Sequence, residues 1–312
     1  MVDMPLVSVV MTTLNSARFI REAVESILAQ TYKNWEMIIV DSGSTDKTIT
    51  LLKKYMDSRI HIFECAGLKR SSQLNYAMKK VSGEYIAIMD SDDIALPQRL
   101  EKQLKYLQNN TFISLVGSWS QYIDENGGFL QINKRPIEHE QIIKRLFSFG
   151  HPSLSSVMFR KSILDSNQCF NESLQGLEDI EWYLRISSFA RFGILPKVLM
   201  KFRQTKNSLS RKKNDVNKQI FINSVDTYYL KKMREERSSV HRAPWGIAHY
   251  YYGESGIARK LLFESLWSEG ISFQTLRYLI PTIIFPGTIL NVVRRKRFTM
   301  KVADCYRTLG NN

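Results

Sequence analysis

The sequence predicts an α/β protein with a mostly parallel sheet flanked by helices and a helical C-terminal extension. Three observations carry this. Apolar runs and helical stripes alternate β-α-β-α-β-α-β over residues 1–97, the pattern of parallel strands joined by right-handed crossovers. The runs are apolar on both faces, as strands covered on both sides require. Polar turns stand where three of those runs end, at Thr12, Asp41 and Asp90, and two of them carry acids.

Residues 5–11 read as the first strand and 12–16 as a polar turn. In 17–30, Phe19, Ile20, Ala23, Val24, Ile27 and Leu28 form one helical stripe. Residues 35–40 are a second strand and 41–46 a turn, and Ile49, Leu52, Tyr55 and Met56 mark the next helix. A short third strand covers 59–64. Leu74, Ala77, Met78 and Val81 mark a helix over 72–81, which Gly83 ends. The apolar run 84–89 is the fourth strand, and a helix follows Pro97 over 99–108. Strands are predicted over 112–119 and 120–123, with a hairpin turn at Asp124-Glu125-Asn126-Gly127-Gly128. Helix 141–147, strand 155–159, short helix 160–166, helix 177–190 and a closing strand 197–203 complete the segment 98–205. The polar, basic stretch 206–217 reads as a linker. Beyond it lie helices rich in aromatics, such as 245–252 and 258–267. The expected division is a domain over 1–205, in halves 1–97 and 98–205, and a basic helical extension over 206–312.

The chain has 312 residues, 44% hydrophobic and 24% charged, enough for one large or two modest domains with a real core. Cys65, Cys169 and Cys305 are isolated and lack metal-ligand spacing, which argues for a reducing compartment and against structural zinc. Residues 1–11 carry no signal-peptide pattern, so a cytoplasmic location is expected. The net charge of +14 is uneven: residues 201–312 hold 21 Lys/Arg and 8 Asp/Glu, residues 1–200 hold 23 and 22. A basic third suits an anionic membrane, nucleic acid or an acidic substrate; a solvated surface accounts for it too.

The chemistry concentrates at Asp90-Ser91-Asp92-Asp93, directly after the fourth strand. Unpaired charge is costly to bury, so these carboxylates emerge at the strand's C-terminal edge, where open α/β sheets bind ligands. Three carboxylates together repel one another. A hard divalent cation with phosphate oxygens relieves that repulsion; an acidic turn capping the helix after Pro97 is the plainer reading. Thr12, Asp41 and Asp90 all end strands on one edge of a parallel sheet. Ser44, Thr45 and Asp46 are explained as a helix cap. Capping does not explain Asp41, which precedes the turn and whose carboxylate can accept from a base N–H or ribose hydroxyl. Lys69 and Arg70 would face a diphosphate if their loop folds over the edge, or are plain surface charge. Glu178-Asp179 open a helix, where the dipole favours acids with or without a catalytic role. No Gly-x-Gly-x-x-Gly or P-loop pattern occurs.

Four segments in order resemble glycosyltransferase family 2. They are residues 7–15 (Val7 to Asn15), residues 40–46 (Val40-Asp41-Ser42-Gly43-Ser44-Thr45-Asp46), residues 83–93 (Gly83 to Asp93), and a set comprising His151-Pro152, 157–161 and 178–185. The resemblance covers roughly residues 5–205. It implies the GT-A fold, Rossmann-like, and an inverting, metal-dependent transferase. Asp41 would contact the base of a nucleotide-sugar, uracil in many members, with Thr12 and Asn15 lining that pocket. Asp90, with Ser91, would lie against the ribose. Asp92 would bind Mg²⁺ or Mn²⁺ bridging the diphosphate, with Asp93 in support and Lys69 or Arg70 on the diphosphate. Asp179 would be the general base, Glu178 would orient it or the acceptor, and His151 would lie near the acceptor. Where many relatives have a His after the last strand, this chain has Arg203-Gln204-Thr205, so no metal ligand is expected there.

The implied function is transfer of a sugar from a nucleotide-diphosphate sugar, a UDP-sugar first, to a glycan or lipid-linked acceptor of a surface polysaccharide or glycolipid. One alternative is a nucleotidyltransferase, which usually needs a Gly-rich basic loop after the first strand; residues 12–16 have neither Gly nor Lys. The other is a nucleic-acid-binding protein using the basic third, disfavoured by the balanced first 200 residues and the lack of a reader motif. Residues 278–293 are largely apolar and precede Arg294-Arg295-Lys296-Arg297, but Pro281, Pro286 and Gly287 break them. That is too short to span a bilayer. Residues 271–297 therefore suit either peripheral contact with an anionic membrane or a helix pair packed on the domain.

Overall fold

A computed structural model describes residues 4–284 apart from 149, 165–168, 175, 206–214, 237–241, 253 and 271. The chain forms two compact units: residues 1–139 with 152–211, and residues 140–151 with 212–312.

The first unit is built on one sheet. Its strands are β1 (Val7–Thr13), β2 (Trp35–Asp41), β3 (Ile60–Glu64), β4 (Tyr85–Asp90), β5 (Ile94–Ala95), β6 (Ile113–Ile123), β7 (Phe129–Asn133), β8 (Met158–Arg160) and β9 (Arg191–Arg203). Their spatial order is β3-β2-β1-β4-β8-β6-β9-β5, with β7 paired to β6. Strands β3, β2, β1 and β4 run parallel. Strand β8 is antiparallel to both β4 and β6, and β9 is parallel to β6. Its helices are α1 (Ile20–Leu28), α2 (Thr48–Leu52), α3 (Arg70–Met78), α4 (Arg99–Asn109) and α6 (Glu178–Ile186); α5 (His139–Lys144) falls almost wholly in the second unit.

Burial explains these elements. All seven residues of β1 are buried, as a central strand covered on both faces demands. Helix α1 buries Ile20, Ala23, Val24 and Ile27, an i, i+3, i+4, i+7 stripe. Ile20, Val24 and Ile27 each contribute about 1.5–3 kcal/mol when fully buried. Gly83 permits a close approach before β4, because a Cβ there would lie 2.5 Å from the Leu6 carbonyl oxygen.

The second unit contains α7 (Asp215–Glu236), α8 (Arg242–Tyr252), α9 (Ser255–Ser268) and α10 (Phe273–Ile284). Its core includes Phe221, Val225, Tyr229, Trp245, Tyr250, Leu262 and Tyr278. Asp226 accepts bonds from Trp245 Nε1 and pairs with His249 Nε2, both at 2.7 Å. No described helix is long and apolar enough to cross a membrane.

Several boundaries differ from expectation. Strand β1 runs to Thr13 because its pairing with β2 continues to Thr13–Asp41. The two strands expected over 112–119 and 120–123 are one strand, β6, from Ile113 to Ile123. Strand β9 begins at Arg191 rather than 197: Ser118 pairs with Leu195 and Trp119 with Val198, so Pro196 and Lys197 form a bulge. Proline lacks the donor a ladder needs and is confined to such places. Residues 154–156 form a 3-10 turn before β8, and Lys161–Leu164 another. Helix α7 starts at Asp215, inside the stretch read as linker, whose first part lies outside the described residues. Residues 140–151 group with the second unit, not with 98–205. Tyr278–Ile284 belongs to α10, and the rest of 278–297 lies outside the described residues.

Candidate active site

Register gathers the strand ends. Thr12 pairs with Val40 on one side and Asp90 on the other, and Thr13 pairs with Asp41. Both threonines are buried. From α3, Gln73 Nε2 donates to the Thr13 and Val40 carbonyls at 3.1 and 2.9 Å, so one amide clasps the ends of β1 and β2.

Asp41 is 1% exposed, and its carboxylate turns into its own loop. Oδ2 accepts from the Gly43 and Ser44 amides at 2.9 and 2.8 Å, and Oδ1 from the Ser44 hydroxyl at 2.5 Å. This corrects the view that capping leaves Asp41 unexplained: it caps the turn, and Gly43 takes φ +91° there. Asn15 also serves the loop. It adopts φ 51°, the left-handed region that asparagine tolerates, and its Oδ1 accepts from the Thr45 amide at 2.9 Å. Ser16 Oγ and Ser91 Oγ meet at 2.8 Å, joining the β1 and β4 loops.

Arg70 opens α3 and points at acids, not outward. Nη2 donates to Asp90 Oδ1 at 2.6 Å and Nη1 to Glu178 Oε1 at 2.8 Å. Burial disfavours the guanidinium's charge, but Asp90 and Glu178 outweigh that and raise its pKa further. The surface-charge reading of Arg70 is therefore corrected. Lys69, at the N-terminal edge of α3, is exposed. The same helix holds the segment leading to Glu178. The Ser71 hydroxyl donates to the Leu174 carbonyl at 3.0 Å, and Asn75 Nδ2 to the Phe170 carbonyl at 2.9 Å.

Glu178 is 1% exposed; its second oxygen accepts the Gly176 amide. Asp179 beside it is half-buried at the start of α6, where it accepts the Ile180 amide at 2.8 Å. Burial, then the neighbouring Glu178 charge, pushes its carboxyl up to about 7, against the pull of Arg70. His151 is half-buried and belongs to the second unit.

The acid cluster divides by environment. Asp90 pairs with Arg70. Asp93 is 1% exposed, and its Oδ1 accepts the Arg203 amide at 2.8 Å. Burial, then Asp92 and Asp90, raises its carboxyl well above the ordinary range. Asp92 is half-buried; burial, then the Asp90 charge, pushes it up to about 6. A hard cation fits this surplus of negative charge. Among the described residues no group of three or more His, Cys, Asp or Glu is arranged to hold a metal. A cation bound here would need phosphate oxygens to complete its coordination.

Two buried arginines escaped the sequence reading. Arg203, at the end of β9, contacts Asp92, Asp124, Glu125 and Glu22. Arg99 is wholly buried beneath β4 and donates to the Ile88 and Val157 carbonyls at 2.8 and 3.2 Å. The only sequence signal was a cation where the burial pattern of β9 and α4 leaves no room for one.

The family described as glycosyl transferase family 2 matches residues 8–167. The uncharacterized glycosyltransferase MJ1057 of Methanocaldococcus jannaschii is 39% identical over 217 residues, covering 67% of this chain and 75% of that protein. The O-antigen biosynthesis glycosyltransferase WbnJ of Escherichia coli is 36% identical over 187 residues, 58% of this chain and 71% of WbnJ. Among solved structures, S. aureus TarS 1–349 in complex with UDP-GlcNAc superposes with TM-score 0.61 at 14% identity, covering 88% of this chain and 90% of that one. Mannosyltransferase PcManGT from Pyrobaculum calidifontis, in complex with GDP-Man and Mn²⁺, gives TM-score 0.56 at 17% identity, covering 98% and 83%. At those identities the structural likeness establishes the fold, which is of GT-A type. The nucleotidyltransferase and nucleic-acid alternatives give way: the chain is a glycosyltransferase of family 2.

Proposed function

We propose that this enzyme inverts the anomeric centre as it transfers a sugar from a nucleotide-diphosphate sugar, a UDP-sugar first, to a glycan or lipid-linked acceptor of a surface polysaccharide or glycolipid. The observation that carries the reading is the Arg70 guanidinium bonded to Asp90 and Glu178 together. It draws the strand-end acids and the start of α6 into one site. WbnJ, by its name, supports the polysaccharide setting. The TarS and PcManGT complexes hold nucleotide-sugars on this fold.

In this reading Thr12, Asn15 and Asp41 form the base side of the donor pocket. Asp41 offers its remaining lone pairs to the base N–H, while its turn bonds fix its direction. Asp90 and Ser91 line the ribose side. Lys69 faces the diphosphate, and Arg70 lies beside it. Asp92 would hold Mg²⁺ or Mn²⁺, with Asp93 fixing the loop. Bound there, the cation would supply Lewis-acid neutralisation of the departing diphosphate. Asp179 removes the acceptor hydroxyl's proton; a carboxyl held near 7 is matched to that task at neutral pH. Glu178, locked by Arg70 and the Gly176 amide, fixes the orientation of its neighbour. His151 is assigned to the acceptor side. Residues 271–297 serve peripheral contact with an anionic membrane.

A calorimetric screen of UDP-, GDP- and dTDP-sugars, with and without Mn²⁺, tests the donor assignment. The expected result is metal-dependent binding of one class. Absence of binding by every nucleotide diphosphate would overturn the reading.

A further inference from the structure

We propose that Arg203 is a positioning residue that holds the Asp92 loop in the geometry needed by metal and diphosphate. The inference rests on the donor-site reading above. Arg203 closes β9 with a side chain 1% exposed. A guanidinium carries five N–H donors and no acceptor, so a buried one must be surrounded by oxygens. Nε donates to the Asp92 carbonyl at 2.9 Å. Nη1 donates to the Asp124 and Glu125 carbonyls at 3.4 and 3.2 Å, and Nη2 to Glu22 Oε2 at 2.9 Å. Phe19 lies under the group, 4.6 Å from its ring centroid.

Two of these contacts decide the role. The side chain grips the Asp92 carbonyl, and the Arg203 amide binds Asp93 Oδ1 at 2.8 Å. One residue therefore holds two successive points of the loop, the Asp92 carbonyl and the Asp93 side chain, and neither bond uses the Asp92 carboxylate. The backbone is fixed while the side chain keeps its lone pairs for a ligand. Nη1 ties the same cation to the turn between β6 and β7, and Nη2 ties it to Glu22 of α1. Arg18 holds that turn independently, through Glu125 Oε2 at 2.8 Å and Asn126 Oδ1 at 3.3 Å. The donor loop and this turn thus share one anchor. A filler of the core would need only to satisfy its own donors; this arginine spends them on the loop that carries the acid.

The test is calorimetry of the full chain with UDP alone and with UDP plus Mn²⁺, joined to the electron paramagnetic resonance spectrum of bound Mn²⁺. Arg203→Lys keeps the charge against Glu22 and Phe19 but cannot span the carbonyls. Outer partners of a metal ligand are typically worth about 10–100-fold in metal affinity, so Arg203→Lys should weaken Mn²⁺ binding in the presence of UDP by about tenfold. UDP without metal should bind within about twofold of the parent. Glu22→Gln, at an exposed end of the network, should change neither. Equal Mn²⁺ affinity and spectrum in parent and Arg203→Lys would overturn the inference, as would a loss of UDP binding that is the same with and without metal. A parent chain that binds no UDP in either condition would overturn the donor-site reading itself.

Discussion

Arg70 and Glu178, 108 residues apart in the chain, meet at 2.8 Å. Glu178 is the more buried partner, with a side chain 1% exposed against 19% for Arg70. A carboxylate in that position needs a cation, because removing one member of a buried pair leaves an uncompensated charge. The bond therefore fixes where α6 begins relative to the end of β4, and with it the direction of Asp179.

Arg70→Met should cost about 3–5 kcal/mol of stability, the usual penalty for orphaning a buried charge. Urea unfolding measures it. Arg70→Met combined with Glu178→Gln should recover part of the loss, since Glu178 is then neutral while Asp90 still lacks its cation, and with the Glu178→Gln single variant the cycle isolates the pair. Arg70→Lys should not rescue: an ammonium is a point charge and cannot replace a planar fork bonded to two carboxylates. A single-variant loss below about 1 kcal/mol would remove this pair from the framework of the site.

Asp179→Asn should retain donor binding and abolish transfer, read by calorimetry and by release of nucleotide diphosphate. In the parent, kcat should rise with pH through about 7, because the carboxyl pushed up to about 7 must lose its proton to act. The stability sign runs the other way. A carboxyl whose folded pKa lies above its unfolded value, ordinarily 3.8, contributes stability that is present below 3.8 and lost as pH rises through about 7. Asp179→Asn should therefore raise Tm at pH 8 and leave it nearly unchanged at pH 3.5. A variant with normal turnover would exclude Asp179 as the base.

Asp92→Asn should remove the metal-dependent part of nucleotide binding. Ligand at about 100 times its Kd stabilises a fold by about 2.7 kcal/mol, so UDP with Mn²⁺ should raise the parent's Tm by several degrees, and chelation should reverse it. The variant should respond alike with and without Mn²⁺. Metal binding should also weaken as pH falls through about 6, where burial and Asp90 place the Asp92 carboxyl. An unchanged Mn²⁺ response in the variant would assign the cation to other ligands.

The parallel half was legible because its signal is local. Residues 7–13, 35–41 and 85–90 are buried nearly throughout, and an unbroken apolar run reports that directly. The missed parts depend on partners far along the chain. Strand β5 has two residues and exists through pairing with Lys201 and Met200. The first half of β9 hides behind Pro196, whose bulge only the β6 register explains. At the site, placement on one sheet edge was readable, but side-chain direction was not. Asp41 turns into its own loop because the Gly43 and Ser44 amides point back at it. Arg70 turns inward because Glu178 is buried there. Arg203 draws its role from Glu22, Asp92, Asp124 and Glu125 at once, and no spacing in the sequence signals such convergence.

Helix α10 offers the last prediction. Phe273, Ile280 and Ile283 are 82%, 47% and 60% exposed, and they recur at i, i+7 and i+10, so they share one helical face. On the buried side Tyr278 and Leu279 pack into the second unit. The exposed apolar face lies in a third of the chain with 21 Lys/Arg against 8 Asp/Glu, and cations near an anionic surface contribute about 1 kcal/mol each. Half-inserting three such side chains would add roughly 1 kcal/mol apiece, for a partition gain of about a hundredfold. The triple variant Phe273→Ser, Ile280→Ser and Ile283→Ser should therefore lose cosedimentation with vesicles containing anionic lipid. It should keep its Tm, because exposed positions carry little stability. Parent binding should fall as salt rises and as the anionic fraction is replaced by neutral lipid. Equal cosedimentation of parent and variant would leave this face without a membrane role and return the tail to packing on its own unit.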